Sequence, residues 1–363
     1  MRQGFVKSSQ KLVSWASWMA SISMVMITSA WLLAELSSSP LINSLLIGAQ
    51  NLPAFLPISR SIKGIGLFLA ATTLLELIVV CLYFQLLPNW LLITFTLAVA
   101  LMASSGSIIS LLPMTGIILD GGRITNQSLQ QSADIGGLSG TLLGGIVYPY
   151  FKLFPPAILL VLAPAWLSQR KVKTTIQAAT KDLPVMPAVP PLDRWCLLQG
   201  LCTGALFALL PLWILSIKDG TSIDFSLVLG AFMLGRVLES RLLPKLSAVV
   251  LYFCCAVLIL IAFYPNVPIW LDVIVFIPLG AAITRIEFDL IDHLDMHGEL
   301  PLRRDILFRS LAVASVIGSL SMGVIGQSIG VGISMLLVGI FFGLAALITW
   351  RWRRPPTTHS ASN

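Results

Sequence analysis

Apolar runs separated by short polar gaps fill almost the whole chain. Each run is close to the roughly 20 residues that one helix needs to cross a bilayer, and helices satisfy their own backbone polar groups there. The pattern predicts an all-α membrane protein with twelve transmembrane helices. The runs cover residues 13–34, 41–58, 64–87, 90–119, 128–151, 153–167, 196–217, 225–243, 246–264, 267–286, 306–329 and 331–350.

The positive charges fall in every second gap between these runs. If the N-terminus is cytoplasmic, only Lys152 and Lys218 of the 23 Lys and Arg residues lie outside. Lys and Arg near the ends of membrane helices are retained on the cytoplasmic side, so both termini are expected there. Adding or dropping one run would scramble this alternation. We therefore expect a multi-pass protein of the cytoplasmic (inner) membrane.

Composition excludes a soluble domain. Only 11% of the residues are charged and 56% are hydrophobic, whereas soluble proteins average about 25% charged residues. Lipid must therefore be the solvent for most of the chain. The net charge of +7 follows from the topology, so no nucleic-acid partner is expected. The five Cys residues lack metal-ligand spacing, and no metal or cofactor is expected.

One linker-like segment divides the runs into two groups of six, a common plan in transporters. Shifting the chain by 182 residues lays Ser128 on Ser310 and Gly136 on Gly318, in the fifth and eleventh runs. This agreement predicts a duplicated architecture. Its expected parts are an N-terminal six-helix bundle (1–168), a cytoplasmic linker (169–195), a C-terminal six-helix bundle (196–350) and a cytoplasmic tail (351–363).

Small residues recur at helical spacing in the fifth and eleventh runs. Such residues let membrane helices approach closely, so they predict helix-packing faces. The faces serve either static packing or the rocking of two halves against each other, and the sequence leaves both interpretations open. The residues are Gly136, Gly140, Gly144 and Gly145 in the fifth run and Gly318, Gly323 and Gly326 in the eleventh.

The stretch from Gly136 to Gly145 resembles the glycine motif in the fifth helix of major facilitator superfamily antiporters, with Thr141 where that motif usually has Pro. Residues 35–53 are similar to the first loop and second helix of the enterobactin-exporter-like branch. The resemblance implies two pseudo-symmetric six-helix bundles, the major facilitator fold. It also implies proton-coupled export of a small molecule.

The loop after the second run departs from the superfamily's signature. Residues 57–64 keep two positive charges but lack the Asp of that signature. In the superfamily this loop is implied to latch one state of the transport cycle, so a divergent member is expected. The corresponding region of the second half keeps Arg236, Glu239 and Arg241, and the resemblance implies a charge latch there.

Ionisable side chains inside membrane helices are costly and point to functional sites. Asp134 lies about two turns into the fifth run, and Gln127, Gln130 and Gln131 precede it on one polar stripe. The stripe predicts a proton-binding or cation-binding acid in a translocation cavity. The alternative is a carboxylate near the helix end that pairs with a base such as Arg123.

Other polar residues in the runs are weaker candidates. Glu76 has no base within its run, so burial favours its neutral form; this suits a proton carrier and equally a structural acid. Arg309 either contacts a substrate anion or extends to the membrane interface. Amides that could line a cavity are Gln50, Asn51, Gln199 and Gln327.

The gap after the tenth run, residues 285–299, carries acids every two or three residues together with His293 and His297. Two His residues four apart can bind a transition metal, but the sequence has no second aspartate cluster of the kind that diphosphate-binding membrane enzymes need. We expect a solvated loop whose acids pair with Arg285, Arg303 and Arg304. We expect that the chain is not an enzyme.

These patterns predict a secondary active transporter that exports a small solute across the cytoplasmic membrane by alternating access. Protons, a small-molecule substrate and membrane lipid are the expected partners, and a monomer is the expected state. Asp134, followed by Glu76, is the expected coupling site. Two alternatives stay open: a lipid or lysolipid flippase on the same fold, and a non-transporting scaffold or assembly protein.

Overall fold

The structure is a computed structural model. It describes residues 2–55, 64–119, 126–150, 157–158, 161–162, 191–243, 246–264, 267–297 and 300–352. Nearly all of these residues are helical, and none of them forms a strand. The prediction of an all-α protein is therefore confirmed for the described part of the chain.

The first half of the chain contributes five described helices. They are α1 (Arg2–Leu36), α2 (Pro40–Asn51), which continues as a 3-10 turn (Leu52–Ala54), α3 (Gly64–Tyr83), α4 (Asn89–Leu119) and α5 (Asn126–Val147). The second half contributes seven. They are α6 (Arg194–Ala208), α7 (Leu210–Ser216), α8 (Ser222–Leu242), α9 (Ala248–Ala262), α10 (Ile269–His293), α11 (Leu300–Ile329) and α12 (Val331–Trp352).

Eleven of the predicted runs coincide with these helices. The seventh run is divided at Leu209 into α6 and α7, where Pro211 lies in the first turn of α7. The predicted sixth run, 153–167, falls almost entirely outside the described residues, and the count of twelve stays a prediction. Among the described residues, seven helical segments are long and apolar enough to cross a membrane, with α6 and α7 counted together as one. The chain is a multi-pass membrane protein.

The predicted end of the tenth run at residue 286 is wrong. Helix α10 continues for two further turns to His293, so Glu287, Asp289 and Asp292 lie on a helix and not in a loop. The expected pairing of this segment with nearby bases is observed in part, because Arg285 pairs with Asp289 and Arg303 with Asp295. The helix continues because its apolar positions Ile286, Leu290 and Ile291 are buried.

Polar caps mark the points where several helices begin. Ser39 accepts a hydrogen bond from the backbone of α2, and Pro40 occupies the first turn of that helix. Asp193 caps α6 in the same manner. Thr221 and Asp224 form a reciprocal capping box at the start of α8. Each cap satisfies backbone N–H groups that the first turn of a helix leaves without partners.

The helix pairs repeat between the two halves. Helix α1 packs against α5, and α6 packs against α11. Across the halves, α5 packs against α8 and α2 packs against α11. In terms of the predicted runs, the pair of runs 1 and 5 becomes the pair 7 and 11 when both are shifted by six. The pair of runs 5 and 8 likewise becomes the pair 11 and 2, when the count restarts after run 12. The contacts therefore follow the duplication that the sequence indicates.

The glycines of α5 serve two different neighbours. A Cβ at Gly136 or Gly140 would collide with the backbone of α1 at Ala16 or Ala20, so these glycines let the two backbones approach each other. Gly144 lies against α1 as well, at Met24. Gly145 faces the other way and lies against α8 across the halves. Contacts within one half and contacts between the halves are therefore both present on one helix.

Helix α11 repeats this arrangement. Gly318 lies against the backbone of α6 near Leu201. Gly323 lies against Ser44 of α2 across the halves, and Gly326 is close to both neighbours.

Candidate functional site

A cavity of about 400 Å³ lies between the two halves. Residues of α1 and α2 line it from the first half, and residues of α6, α7, α8, α10 and α11 line it from the second. A cavity shared by two helix bundles can be reached from either membrane side if the bundles rock against each other. Its polar lining residues are Asn43, Gln50, Asn51, Thr203, Arg236, Glu287 and Ser315.

The remaining wall is apolar and partly aromatic. Phe207, Phe225, Phe232 and Phe308 all line the cavity. The rings of Phe207 and Phe232 meet edge to face, with centroids 5.1 Å apart. Aromatic rings together with a few placed polar groups are the usual lining of a small-molecule pocket.

Arg236 connects the cavity to the first half. Its Nε donates to Oδ1 of Asp134 on α5 at 3.0 Å, while Nη1 and Nη2 donate to the two carboxylate oxygens of Glu287 on α10 at 3.3 and 3.0 Å. The Asp134 side chain is 4% exposed and the Arg236 side chain 13%. We call Asp134, Arg236 and Glu287 the triad.

Gln130 adds a second link beside the triad. Its Nε2 donates to Asp134 at 3.1 Å, and its Oε1 accepts from Arg304 of α11 at 3.2 Å. The start of α5 is therefore held to both α8 and α11. Of the predicted polar stripe, Asp134 and Gln130 lie together, Gln131 is half-buried, and the side chain of Gln127 lies outside the described residues.

The partner of Asp134 is Arg236. Arg123, the base named from the sequence, also lies outside the described residues. Arg236 is 102 positions away along the chain, and only the packing of α5 on α8 brings the two together. The sequence placed Arg236 in a charge latch without naming its partners.

The other charges of that predicted latch are divided between two places. Glu239 is 5% exposed and accepts from Nη1 of Arg285 at 3.3 Å, within the second half. Arg241 is exposed near the end of α8. Arg236 alone among these three side chains reaches across to the first half in the contacts observed.

The halves also meet at the opposite end of the cavity. We call this end, with the C-termini of α1, α5 and α11, the predicted outer end; the triad marks the predicted cytoplasmic end. At the predicted outer end, Ser39 donates to Oε1 of Gln327 at 2.9 Å. Gly145 lies against Ser222 and Ser226 of α8 at the same end.

The predicted amides are distributed unevenly. Gln50 and Asn51 line the cavity, and Gln327 belongs to the outer contact. Gln199 is fully buried on α6, its two amide atoms have no hydrogen-bond partner among the described residues, and it does not line the cavity. Arg309 is half-buried on α11, away from the lining.

Glu76 lies on α3, which packs mainly against α4. It is half-buried, and its Oε2 atom is buried without a hydrogen-bond partner among the residues described. It does not line the cavity.

Three acids matter more than the sequence suggested. Glu287 lines the cavity, as does Ile283 four residues earlier. Residues four apart lie on the same face of a helix, so this spacing was the feature of the sequence that could have pointed to Glu287. Asp272 is 2% exposed and pairs with Lys218 at 3.2 Å. Glu35 holds two aromatic side chains at the predicted outer end.

The part of the chain that the structure describes contains no candidate metal site. No group of three His, Cys, Asp or Glu side chains there could hold an ion. His293 is exposed at the end of α10, and the side chain of His297 lies outside the described residues.

Comparison with solved structures gives the same fold. The crystal structure of the nucleoside transporter NupG covers 94% of this chain and 97% of its own, with a TM-score of 0.61 and 12% identity. The crystal structure of a single-residue mutant of NupG covers 94% of this chain and 98% of its own, with a TM-score of 0.55 and 13% identity. The likeness shows a major facilitator fold. No protein-family profile and no curated sequence matches it.

Proposed function

We propose that this chain is a secondary active transporter that moves a small solute by alternating access between two six-helix bundles. The observation that supports this most directly is the shared cavity, which has contacts between the halves at both of its ends. Either end can open only if its own contacts break while the other set holds. The distribution of Lys and Arg favours a cytoplasmic location for the triad end.

The cavity suits an uncharged polar solute with a planar ring. Its two charged lining residues, Arg236 and Glu287, are paired with each other, so a charged solute would meet no free counter-charge on the lining. Gln50 and Asn51 offer donors and acceptors, and the phenylalanines offer apolar faces for a ring. NupG is a nucleoside transporter, and nucleosides have this chemistry. They are the first compounds to test.

Proton coupling is proposed at the triad. Two carboxylates share one guanidinium there, so the uptake of one proton leaves these three groups with no net charge. Protonation of Asp134 would also weaken its bond to Arg236, because an ion pair becomes a hydrogen bond from the guanidinium to an uncharged carboxyl group. The proton would then control a contact between the halves, and Asp134 would act through this contact. Export by exchange with protons is the direction we propose.

The direct test uses purified protein in proteoliposomes, the parent chain beside Asp134→Asn. Uptake of labelled nucleosides is followed with and without an imposed pH gradient, and vesicles of both orientations are separated by protease protection. We expect flux that responds to the gradient in the parent and flux without that response in Asp134→Asn. The exposed Arg241→Gln variant is the matched control, which should behave like the parent.

Other outcomes assign a different function. Movement of a labelled lysolipid without movement of any soluble solute would favour the flippase. Absence of all flux, in protein that remains folded and monodisperse, would favour a scaffold or assembly role. Gradient-dependent flux that survives in Asp134→Asn would keep the transporter and remove Asp134 as its coupling site.

A further inference from the structure

An aromatic stack lies beside the cavity, towards its predicted outer end. Ile27 and Ala30 of α1 line the cavity, and Trp31 follows them along the same helix. The ring of Trp31 stacks on that of Phe225 of α8, with centroids 5.7 Å apart and planes inclined by 29°. Trp31 is 3% exposed and Phe225 2%. The two rings come from opposite halves, so they must separate before the cavity can open at this end.

One carboxylate holds the first-half member of this stack. Oε1 of Glu35 accepts from the indole Nε1 of Trp31 at 2.6 Å. Oε2 of the same carboxylate accepts from the hydroxyl of Tyr148, directly after α5. A carboxylate that accepts from an indole and a phenol forms charge-assisted bonds, which are stronger than neutral ones. Glu35 therefore fixes the orientation of the indole with respect to both α1 and α5.

The position of Glu35 distinguishes it from a buried packing residue. The side chain is exposed, while both rings of the stack are buried. An exposed carboxylate gains little by itself from the protein interior. Its two contacts instead connect the surface of the first half to a ring in the contact between the halves.

We propose that Glu35 is a positioning residue for an outer gate made of Trp31 and Phe225. The carboxylate keeps the indole in the orientation that stacks on Phe225, and this stabilises the state in which the outer end is closed. The inference rests on the proposed alternating access, because a gate has a role only if this end opens. Nothing in it depends on the identity of the solute or on the triad.

The test measures access to the cavity and needs no substrate. Thr203 lines the cavity from α6, away from the stack, and Thr203→Cys provides a reporter thiol. Its rate of reaction with a membrane-impermeant sulfonated thiol reagent is measured in spheroplasts, for access from outside, and in inverted vesicles, for access from the cytoplasm. The chain without this substitution gives the background from its native cysteines.

We expect Glu35→Ala to raise the rate from outside by about tenfold, because the indole then leaves the orientation that stacks on Phe225, and this stack exists only in the closed state. Trp31→Ala should raise it at least as much. Glu35→Gln keeps a carbonyl acceptor for the indole and should stay within about twofold of the parent reporter. Tyr148→Phe removes one of the two contacts of Glu35, and its outside rate should lie between the rates of Glu35→Gln and Glu35→Ala. Asp219→Asn, at another exposed acid of this end, is the control and should leave the rate unchanged.

Two results would overturn the proposal. One is an unchanged outside rate in Glu35→Ala when Trp31→Ala raises it, since the gate would then not need the carboxylate. The other is an equal increase from both sides with a lower melting temperature, which indicates general loosening. Failure of the proposed transport gives a different result: no substitution at either end, including Asp134→Asn, would then move the rate from one side alone.

Discussion

Arg236 of α8 connects three helices, because its guanidinium binds Asp134 of α5 and Glu287 of α10. A guanidinium presents five N–H donors in a fixed plane, and three of the bonds observed here go to two acids on two different helices. Lys would supply one point charge and could not reproduce the fork. The residue closes the predicted cytoplasmic end and lines the cavity at the same time.

Removing this base should be costly. Arg236→Met leaves Asp134 and Glu287 without their shared partner, and breaking a buried ion pair costs about 3–5 kcal/mol. We expect a clear fall in the melting temperature of the purified protein. In Asp134→Asn/Arg236→Met/Glu287→Gln, which has no charge left to bury, most of that loss should be recovered. A melting temperature for Arg236→Met equal to that of the parent would mean that the triad contributes nothing to stability.

Lys218 and Asp272 form the second buried pair, at the predicted outer end. Their side chains are 6% and 2% exposed, and Lys218 also donates to the carbonyl of Val267. Asp272→Asn leaves an ammonium buried without a counter-charge, and about 3–5 kcal/mol of stability should be lost. Lys218→Met/Asp272→Leu should be far less damaging, because no charge remains. Both variants are compared by thermal unfolding, and equal losses in the two would contradict the ion-pair argument.

At the scale of whole helices, the sequence predicted well where helices lie along the chain, but it predicted poorly which helices pack against each other. Apolar run length found both ends of α4 and α12 to within two residues and the start of α3 at Gly64, because lipid imposes that length directly. It ended the tenth run early because Glu287 and Asp289 raise the polarity of a helix whose other face stays buried. Pairings such as Asp134 with Arg236 join residues 102 positions apart, and one sequence holds no measure of which helices meet.

Helix α5 allows the two roles of its glycines to be separated. Gly140 faces α1 within one half, and Gly145 faces α8 across the halves. A methyl group at Gly140 meets backbone atoms of Ala20 that cannot move aside, and overpacking of this kind costs about 1–3 kcal/mol. The contact at Gly145 is relieved if the outer end opens.

We therefore expect Gly140→Ala to lower the melting temperature and Gly145→Ala to leave it close to that of the parent. Gly145→Ala should instead raise the reaction of the Thr203→Cys thiol from outside, whereas Gly140→Ala should change neither side selectively. If Gly145→Ala destabilised the protein as much as Gly140→Ala without moving the thiol rate, the contact between α5 and α8 would be static packing.

For the molecule as a whole, the decisive feature is that the halves are joined at two separate levels. Ser39 and Gln327 meet at one end, while Gln130 and Arg304 meet at the other. Both contacts are polar and lie at helix ends, and the cavity lies between them. Alternating access requires that each contact breaks in turn, so locking either one should stop turnover while leaving the fold intact.

This can be tested with paired cysteines and a short bis-thiol linker. Ser39→Cys/Gln327→Cys, once linked, should lose flux and should keep its cavity thiol accessible only from the cytoplasm. Gln130→Cys/Arg304→Cys, once linked, should lose flux with access only from outside. The matched control is each single-cysteine variant treated with the same linker, which should keep its flux. Undiminished flux in both linked pairs would mean that the solute crosses without these contacts breaking, and alternating access between the two halves would then be wrong.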